Sequence, residues 1–221
     1  MNSYKKTARI VGALFLIAMA ASLFGGIWLE TFLSAPDYQS AIMENQSQVV
    51  MGVLLELING LAVIGIAVGI YPLFRKYSES LALGYVALRT IESAVIVAAV
   101  ISPLALLAIN LDAAGGAAFQ APGESLLAVR SILVGQITGI FFSLAALLLF
   151  YLLYQTRLVP RFISAWGLIG VLLVLAWNLM ELFGITVSFG MFLALPMILN
   201  EIFLAIWLIF KGFEQTAIAD L

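Results

Sequence analysis

Six apolar runs, each long enough to cross a lipid bilayer, constrain this chain more than any other feature of its sequence. A hydrocarbon core about 30 Å thick is crossed by roughly 20 residues of α-helix. The sequence therefore predicts an all-α membrane protein, with one six-helix transmembrane domain over residues 1–221. The predicted spans are approximately residues 10–33, 49–74, 81–109, 125–156, 162–183 and 191–210.

The composition identifies lipid as the main solvent of the chain. Hydrophobic residues make up 64% of the sequence and charged residues 10%, whereas a soluble domain carries about 25% charged residues. The few basic residues are scattered, so no nucleic-acid partner is expected. The sequence has no Cys and no His, which removes the usual metal ligands and the usual general base. We therefore predict no catalytic residue, no metal site and no cofactor.

Basic residues predict the orientation of the spans, because cytoplasmic loops of membrane proteins are enriched in Lys and Arg. The loops on the opposite side of the predicted bundle carry no basic residue, apart from Arg130 just inside the fourth span. Both termini are accordingly expected to be cytoplasmic. The predicted cytoplasmic side holds Lys5, Lys6, Arg9, Arg75, Lys76, Arg157, Arg161 and Lys211.

The first apolar run also resembles a signal peptide, since Ala18-Met19-Ala20 has the form of a cleavage site. The run continues past this point, however, and exceeds the roughly 7–15 apolar residues of a signal-peptide core. We expect an uncleaved first transmembrane helix.

Residues between the spans give weaker predictions. For residues 34–48, a short surface helix that opens at Pro36 and a plain loop both remain open. Pro103 should bend the third helix, because proline lacks a backbone N–H. Residues 110–124, rich in Ala and Gly, are predicted to form a mobile loop. The tail after Lys211 is expected to be frayed or amphipathic.

The predicted spans carry polar side chains that a lipid environment disfavours. Glu56 and Asn59 lie one helical turn apart and share a face, and similar pairs recur in later spans. Counted from the helix ends, most of these residues lie between the outer surface and the midplane. They predict a polar pocket in the outer half of the membrane, with Arg130 and Gln136 as supporting residues. Its predicted ligand-binding residues are Glu56, Asn59, Arg89, Glu92, Asn178, Glu181, Asn200 and Glu201.

Charges in this set do not balance. Glu56, Glu92, Glu181 and Glu201 face only two guanidinium groups, those of Arg89 and Arg130. An unpaired ion in a membrane costs several kcal/mol. The excess carboxylates must therefore be protonated, hydrated or matched by a bound cation. Arg89 is expected to pair with Glu92, Glu56 or Glu201.

Several stretches, spread over nearly the whole chain, carry a resemblance to a known family. They are Leu54-Leu-Glu-Leu-Ile-Asn59, Leu83-Gly-Tyr-Val with Arg89 and Ile91-Glu92, Leu158-Val-Pro-Arg161, Trp166-Gly-Leu-Ile-Gly170, Glu201 and Trp207-Leu-Ile-Phe-Lys-Gly-Phe213. These stretches resemble the bacterial multi-pass membrane protein family of unknown function numbered 4386. The resemblance implies a multi-pass membrane protein of bacterial type with no established activity.

Three classes of function are consistent with these features. The first is binding or transport of a small cationic or amphipathic molecule, or of protons, through the acidic polar cluster. The second is an intramembrane enzyme that acts on a lipid-like substrate with Glu as acid or base. The third is a structural or sensor subunit with no ligand. The expected partners are the lipid bilayer and a small-molecule or lipid ligand, with the chain as a monomer or a small homo-oligomer.

Overall fold

The computed structural model describes residues 3–112 and 120–220, and every regular element in these two ranges is a helix. Six helical stretches are long and apolar enough to cross a membrane, which confirms the predicted number. The helices are α1 (Ser3–Leu33), α2 (Tyr38–Glu44), α3 (Gln46–Tyr77), α4 (Glu79–Ala99), α5 (Ile101–Asp112), α6 (Gln120–Ile132), α7 (Thr138–Thr156), α8 (Arg161–Leu182), α9 (Gly190–Phe210) and α10 (Gln215–Asp220).

The third predicted span is divided into α4 and α5 at Val100, three residues before Pro103. Proline has no N–H to donate to the carbonyl four residues earlier. Pro103 therefore leaves the carbonyl of Ala99 without its usual helical partner. The structure thus has a break between two helices where the sequence predicted a bend in one.

The fourth predicted span contains a wide π-helical turn, Leu133–Ile137, between α6 and α7. At its end, the backbone N–H of Thr138 donates to the carbonyl of Leu133. The Thr138 hydroxyl donates to the same carbonyl at 2.8 Å. The sequence predicted one continuous helix here, so the π-turn is a departure from that prediction.

Residues 34–48 include the short helix α2, one of the two alternatives left open by the sequence. Asp37 caps it and accepts a hydrogen bond from the backbone N–H of Ser40 at 3.2 Å. Hydrogen bonds from Ser40 hold the pKa of the Asp37 carboxyl below its ordinary value. Ile42 is fully buried and packs with Leu29, Val49 and other residues of α1, α3 and α5.

The predicted loop at 110–124 is shorter at both ends than expected. Helix α5 continues to Asp112 and α6 begins at Gln120, so both helices extend into the stretch that was predicted to be a loop. Residues 113–119 lie outside the described residues.

Neighbouring spans run in opposite directions, and their contacts define two ends of the bundle. The ammonium group of Lys76, at the end of α3, lies 5.6 Å from the ring centroid of Tyr4, near the start of α1. The end of α9 is nearby, since Gly212 packs on Ala8 and Lys5. We call this side the basic end and the opposite side, with α2 and α5, the far end.

Glycines allow the spans to approach closely, as expected for membrane helices. A methyl group placed at Gly65 of α3 would lie 3.0 Å from Leu14 of α1. One at Gly167 of α8 would lie 2.3 Å from the ring of Phe150 in α7. The same close contact is made by Gly60 on Ser93, by Gly69 on Val11 and by Gly170 on Met197.

The tail after α9 is packed rather than frayed. Gly212, with φ of 81°, turns the chain back toward the bundle. Phe213 and Ala217 are buried in the main core. The backbone N–H of Glu214 donates to the carbonyl of Leu158 at 3.0 Å, so the tail is fastened to the α7–α8 connection. The frayed alternative was wrong because Phe213 supplies an apolar anchor.

Candidate functional site

Arg130 of α6 is the centre of one buried ion cluster, and it is 2% exposed. Its Nη2 donates to Oε1 of Glu56 in α3 at 2.7 Å, and its Nη1 donates to Oε2 at 3.1 Å. Its Nε lies 3.4 Å from Oε1 of Glu30 in α1, within ion-pair distance but without hydrogen-bond geometry. We call Arg130, Glu56 and Glu30 the Arg130 cluster.

The same guanidinium also satisfies the carbonyl that Pro103 leaves free. Arg130 Nη1 donates to the carbonyl oxygen of Ala99, at the end of α4, at 3.1 Å. A buried carbonyl without a donor is costly, so this bond removes the penalty of the helix break. Arg130 thereby connects α6 with α1, α3 and α4.

Arg89 of α4 is the centre of a second buried cluster, and it is also 2% exposed. Its Nη1 donates to both carboxylate oxygens of Glu92, at 3.1 Å and 2.9 Å. Its Nε donates to the hydroxyl of Tyr85 at 3.4 Å. The predicted pairing of Arg89 with an acidic residue is confirmed, and the partner is Glu92, one turn along the same helix.

Aromatic rings cover two sides of the Arg89 guanidinium. Its central carbon lies 5.6 Å from the ring centroid of Tyr85 and 5.5 Å from that of Phe142 in α7. A cation over an aromatic face is stabilised by the ring quadrupole. These rings supply cation-binding surface without adding charge.

Glu201 of α9 is the second carboxylate near Arg89. Its charge interacts with those of Arg89 and Glu92. Within the residues that the structure describes, however, its half-buried side chain forms no hydrogen bond and no ion pair. We call Tyr85, Arg89, Glu92 and Glu201 the Arg89 cluster.

The remaining predicted site residues are satisfied elsewhere. The Asn178 amide donates to the carbonyl of Val174 in its own helix at 2.8 Å. Glu181 accepts a 2.7 Å hydrogen bond from Trp177, also in its own helix. Asn200 of α9 donates across to the carbonyl of Ile163 in α8 at 2.9 Å, and its buried Oδ1 has no hydrogen-bond partner among the described residues.

The side chains of Asn59 and Gln136 form no hydrogen bond with any side chain or backbone group in residues 3–112 and 120–220, and both residues are half-buried. The structure thus pairs Glu56 with Arg130 and Arg89 with Glu92, and the charge of Glu201 interacts with the second pair without bonding to it. It does not place all eight predicted residues around one centre. The predicted pocket in the outer half of the membrane stays a prediction.

Sequence reasoning missed four participants. Glu30 was not included in the predicted polar cluster, although a carboxylate near the end of a span invites an ionic partner. Pro103 signalled a free carbonyl at Ala99, but the donor was not predicted. Tyr85 lies four residues before Arg89 on the same helix, so helical spacing could have found it. Phe142 of α7 carried no sequence signal, because apolar spans contain many aromatic residues.

Comparison with known proteins gives one match. A family model described as "Domain of unknown function (DUF4386)" matches residues 10–212, a range that includes both clusters. No curated protein and no solved structure matches the chain.

Proposed function

The chain belongs to this family, Domain of unknown function (DUF4386), and because that description names no activity, we propose a function from the chemistry of the two clusters. The protein resides in a bacterial plasma membrane with both termini cytoplasmic. It binds and moves a small cationic or amphipathic molecule, or protons, through the Arg89 cluster.

The concentration of basic side chains at one end of the bundle supports this orientation. The chain has no native Cys, so single cysteines can be introduced and labelled without background. Cysteine at Gln46, and at Ala114 outside the described residues, should react with an impermeant reagent added outside the cell. Cysteine at Glu79 should react only after the membrane is permeabilised. The opposite labelling would reverse the topology.

One observation carries the functional proposal: the Arg89 cluster holds two carboxylates and one guanidinium, and Glu201 has no hydrogen bond or ion pair to a described residue. Glu92 already takes the two bonds that Arg89 Nη1 offers. In a low-dielectric interior the remaining negative charge requires a proton or a second cation. Glu201 is therefore the residue at which a proton and a cation compete.

The surroundings of Arg89 favour an organic cation as the competitor. Two carboxylates and two aromatic faces are the groups that proteins use to bind delocalised or alkylated cations. Both aromatic faces already contact the guanidinium of Arg89. A substrate with a spread positive charge and an apolar body suits the same groups.

Transport into reconstituted vesicles tests this function. With a proton gradient imposed, vesicles that contain the protein should accumulate radiolabelled tetraphenylphosphonium, and a trapped pH dye should report a coupled proton flux. Glu201→Gln should abolish both signals, because glutamine keeps the shape and loses the charge. Glu181→Gln is the matched control, since Glu181 is bonded within its own helix to Trp177. Equal transport by all three proteins would refute the role of Glu201.

A purely structural subunit is the second candidate, and the Arg130 cluster favours it, because its ion pairs join separate helices. That reading does not account for Arg89, whose hydrogen bonds remain within α4. Binding to a partner protein, in the absence of any transport, would support the structural candidate. Turnover of a labelled lipid would instead support an intramembrane enzyme.

A further inference from the structure

A pocket of about 620 Å³ lies at the basic end, apart from both ion clusters. It is bounded by the end of α3, by the connection between α7 and α8, and by the tail helix α10. Because the apolar spans end at this level, the pocket lies where a bilayer surface would meet the bundle. It is lined by Tyr77, Gln155, Thr156, Arg157, Val159, Pro160, Arg161, Glu214, Thr216 and Ala217.

The charges in the pocket lining favour an anion. Arg157 and Arg161 supply two guanidinium groups, and Glu214 supplies one carboxylate. Neither arginine forms an ion pair with any residue in the described ranges. Arg161 is oriented by the ring of Tyr154, whose centroid lies 5.1 Å from its guanidinium carbon. Two guanidinium groups and one carboxylate therefore border one cavity, which leaves a net positive charge in its lining.

The backbone that carries these arginines is fixed. Leu158 and Val159, which lie between the two arginines, are each at most 1% exposed. The carbonyl of Leu158 also accepts the hydrogen bond from the Glu214 N–H. Arg157 itself adopts a left-handed conformation with φ of 54°, which ends α7 sharply. The two arginines thus flank a connection that is packed into the bundle.

Helix α8 begins at the edge of the same cavity, which Pro160 and Arg161 both line. No side chain among the described residues caps its first turn. The first N–H groups of a helix have no partner within the helix and carry a partial positive charge. Tyr77, Gln155 and Thr216 also line the cavity and supply neutral hydrogen-bonding groups. Guanidinium forks and open helix amides are the donors that proteins use for phosphate.

We propose that this pocket binds the phosphate group of an anionic phospholipid. Basic pockets between transmembrane helices on the cytoplasmic side are a known mode of anionic headgroup recognition. Free inorganic phosphate presents the same chemistry, but apolar surface beside the pocket favours a lipid. Phe162 of α8 is 56% exposed and Tyr151 of α7 is 40% exposed, and both offer contact to acyl chains. This site is separate from Glu201 and does not depend on the transport proposal.

Thermal unfolding of the full chain in detergent tests the site, with phosphatidylglycerol, phosphatidylcholine or inorganic phosphate as the added probe. Phosphatidylglycerol should raise the unfolding midpoint of the native protein by several degrees, and phosphatidylcholine should not. In the double variant Arg157→Gln/Arg161→Gln the apparent affinity for phosphatidylglycerol should fall by about tenfold or more. Arg75→Gln is the matched control, because Arg75 is exposed at the same end and does not line the pocket.

The outcomes separate the alternatives. Equal stabilisation by phosphatidylcholine, or equal loss in Arg75→Gln and the double variant, overturns the proposal. Inorganic phosphate alone could shift the unfolding midpoint, and the double variant could abolish that shift. If lipid then has no further effect, the result supports the phosphate site and overturns its assignment to a lipid. If the double variant does not fold, Arg161→Lys replaces it, since lysine keeps the charge and loses the planar fork. An intermediate loss of affinity in Arg161→Lys supports the proposal, and no loss overturns it.

Discussion

The two buried arginines satisfy their charges in different ways. The hydrogen bonds of Arg130 connect α6 with α3 and with the end of α4, and its ion pair with Glu30 reaches α1. The hydrogen bonds of Arg89 remain on α4, to Glu92 and Tyr85. An ion that is bonded across helices fastens them together. An arginine whose hydrogen bonds stay within its own helix does not join helices. The side of its guanidinium that makes none of these bonds is available to a further ion.

The second carboxylate of each cluster shows the same contrast. The side chain of Glu30 is 56% exposed, so water can hydrate its charge. Glu201 is half-buried in the middle of a span and has no hydrogen bond within the described part of the chain. The excess charge of the Arg130 cluster therefore lies at the far end of the bundle, and that of the Arg89 cluster lies inside it. This difference is why we place function at Arg89 and stability at Arg130.

The largest effect on stability is expected from Arg130→Gln. This change removes both hydrogen bonds to Glu56 and the one to the Ala99 carbonyl, and it leaves a carboxylate buried without a cation. Loss of one partner of a buried ion pair costs about 3–5 kcal/mol. The free energy of unfolding in detergent measures it, with exposed Arg75→Gln as a control that should change by less than about 0.5 kcal/mol. A similar loss in both variants would mean that Arg130 does not fasten the helices.

Arg89→Gln should cost less, about 1–3 kcal/mol, because the hydrogen bonds that it removes lie within one helix. The same unfolding measurement applies. Since the bonds of Arg89 are within α4, the bundle keeps its connections between helices. A larger loss of stability in Arg89→Gln than in Arg130→Gln would contradict the assignment of stability to the Arg130 cluster.

Pro103→Ala should change the free energy of unfolding by no more than about 1 kcal/mol, since two effects oppose each other. Alanine restores an N–H for the Ala99 carbonyl, and it thereby competes with Arg130 for that acceptor. A double-mutant cycle of Pro103→Ala with Arg130→Gln should give a coupling energy of about 0.5–1.5 kcal/mol. Strict additivity would show that the freed carbonyl does not contribute to the Arg130 cluster.

The smallest effect is expected from Asp37→Ala, which removes an exposed carboxylate from the start of α2. The pKa of Asp37 is lowered in the folded state by its hydrogen bonds from Ser40. The contribution of Asp37 to the free energy of unfolding is therefore complete above its ordinary pKa of 3.8. It is lost as the pH falls through the lower pKa of the folded state. Unfolding midpoints of the two proteins should differ slightly at pH 7 and converge as the pH falls below the folded pKa of Asp37. A constant difference across that range would exclude the charged cap.

Composition and helix length were sufficient to predict the spans. The predicted boundaries at 162–183 and 191–210 differ by one residue or less from Arg161–Leu182 and Gly190–Phe210. The first helix begins at Ser3 rather than at residue 10, because Lys5 and Lys6 continue it beyond the apolar run. Lipid thickness determines how much apolar chain is needed, but it does not determine where a helix stops in water.

Pairing within one helix was predictable, and pairing across helices was not. Arg89 and Glu92 are three residues apart, so helical periodicity alone places them together. Glu56 and Arg130 are 74 residues apart, and their contact depends on the order and rotation of the spans. Helix position along a span can be counted from the sequence, but it carries no information about lateral neighbours.

The π-turn at Leu133–Ile137 sets the angle of rotation between α6 and α7. A π-turn contains one residue more than an α-turn, and each residue of an α-helix advances the chain by about 100° around the axis. An α-turn at the same place would rotate α6 by that angle relative to α7. Arg130 would then face away from Glu56, while α7 kept its place against α8. The extra residue of this turn thus directs the guanidinium of span four toward its carboxylate.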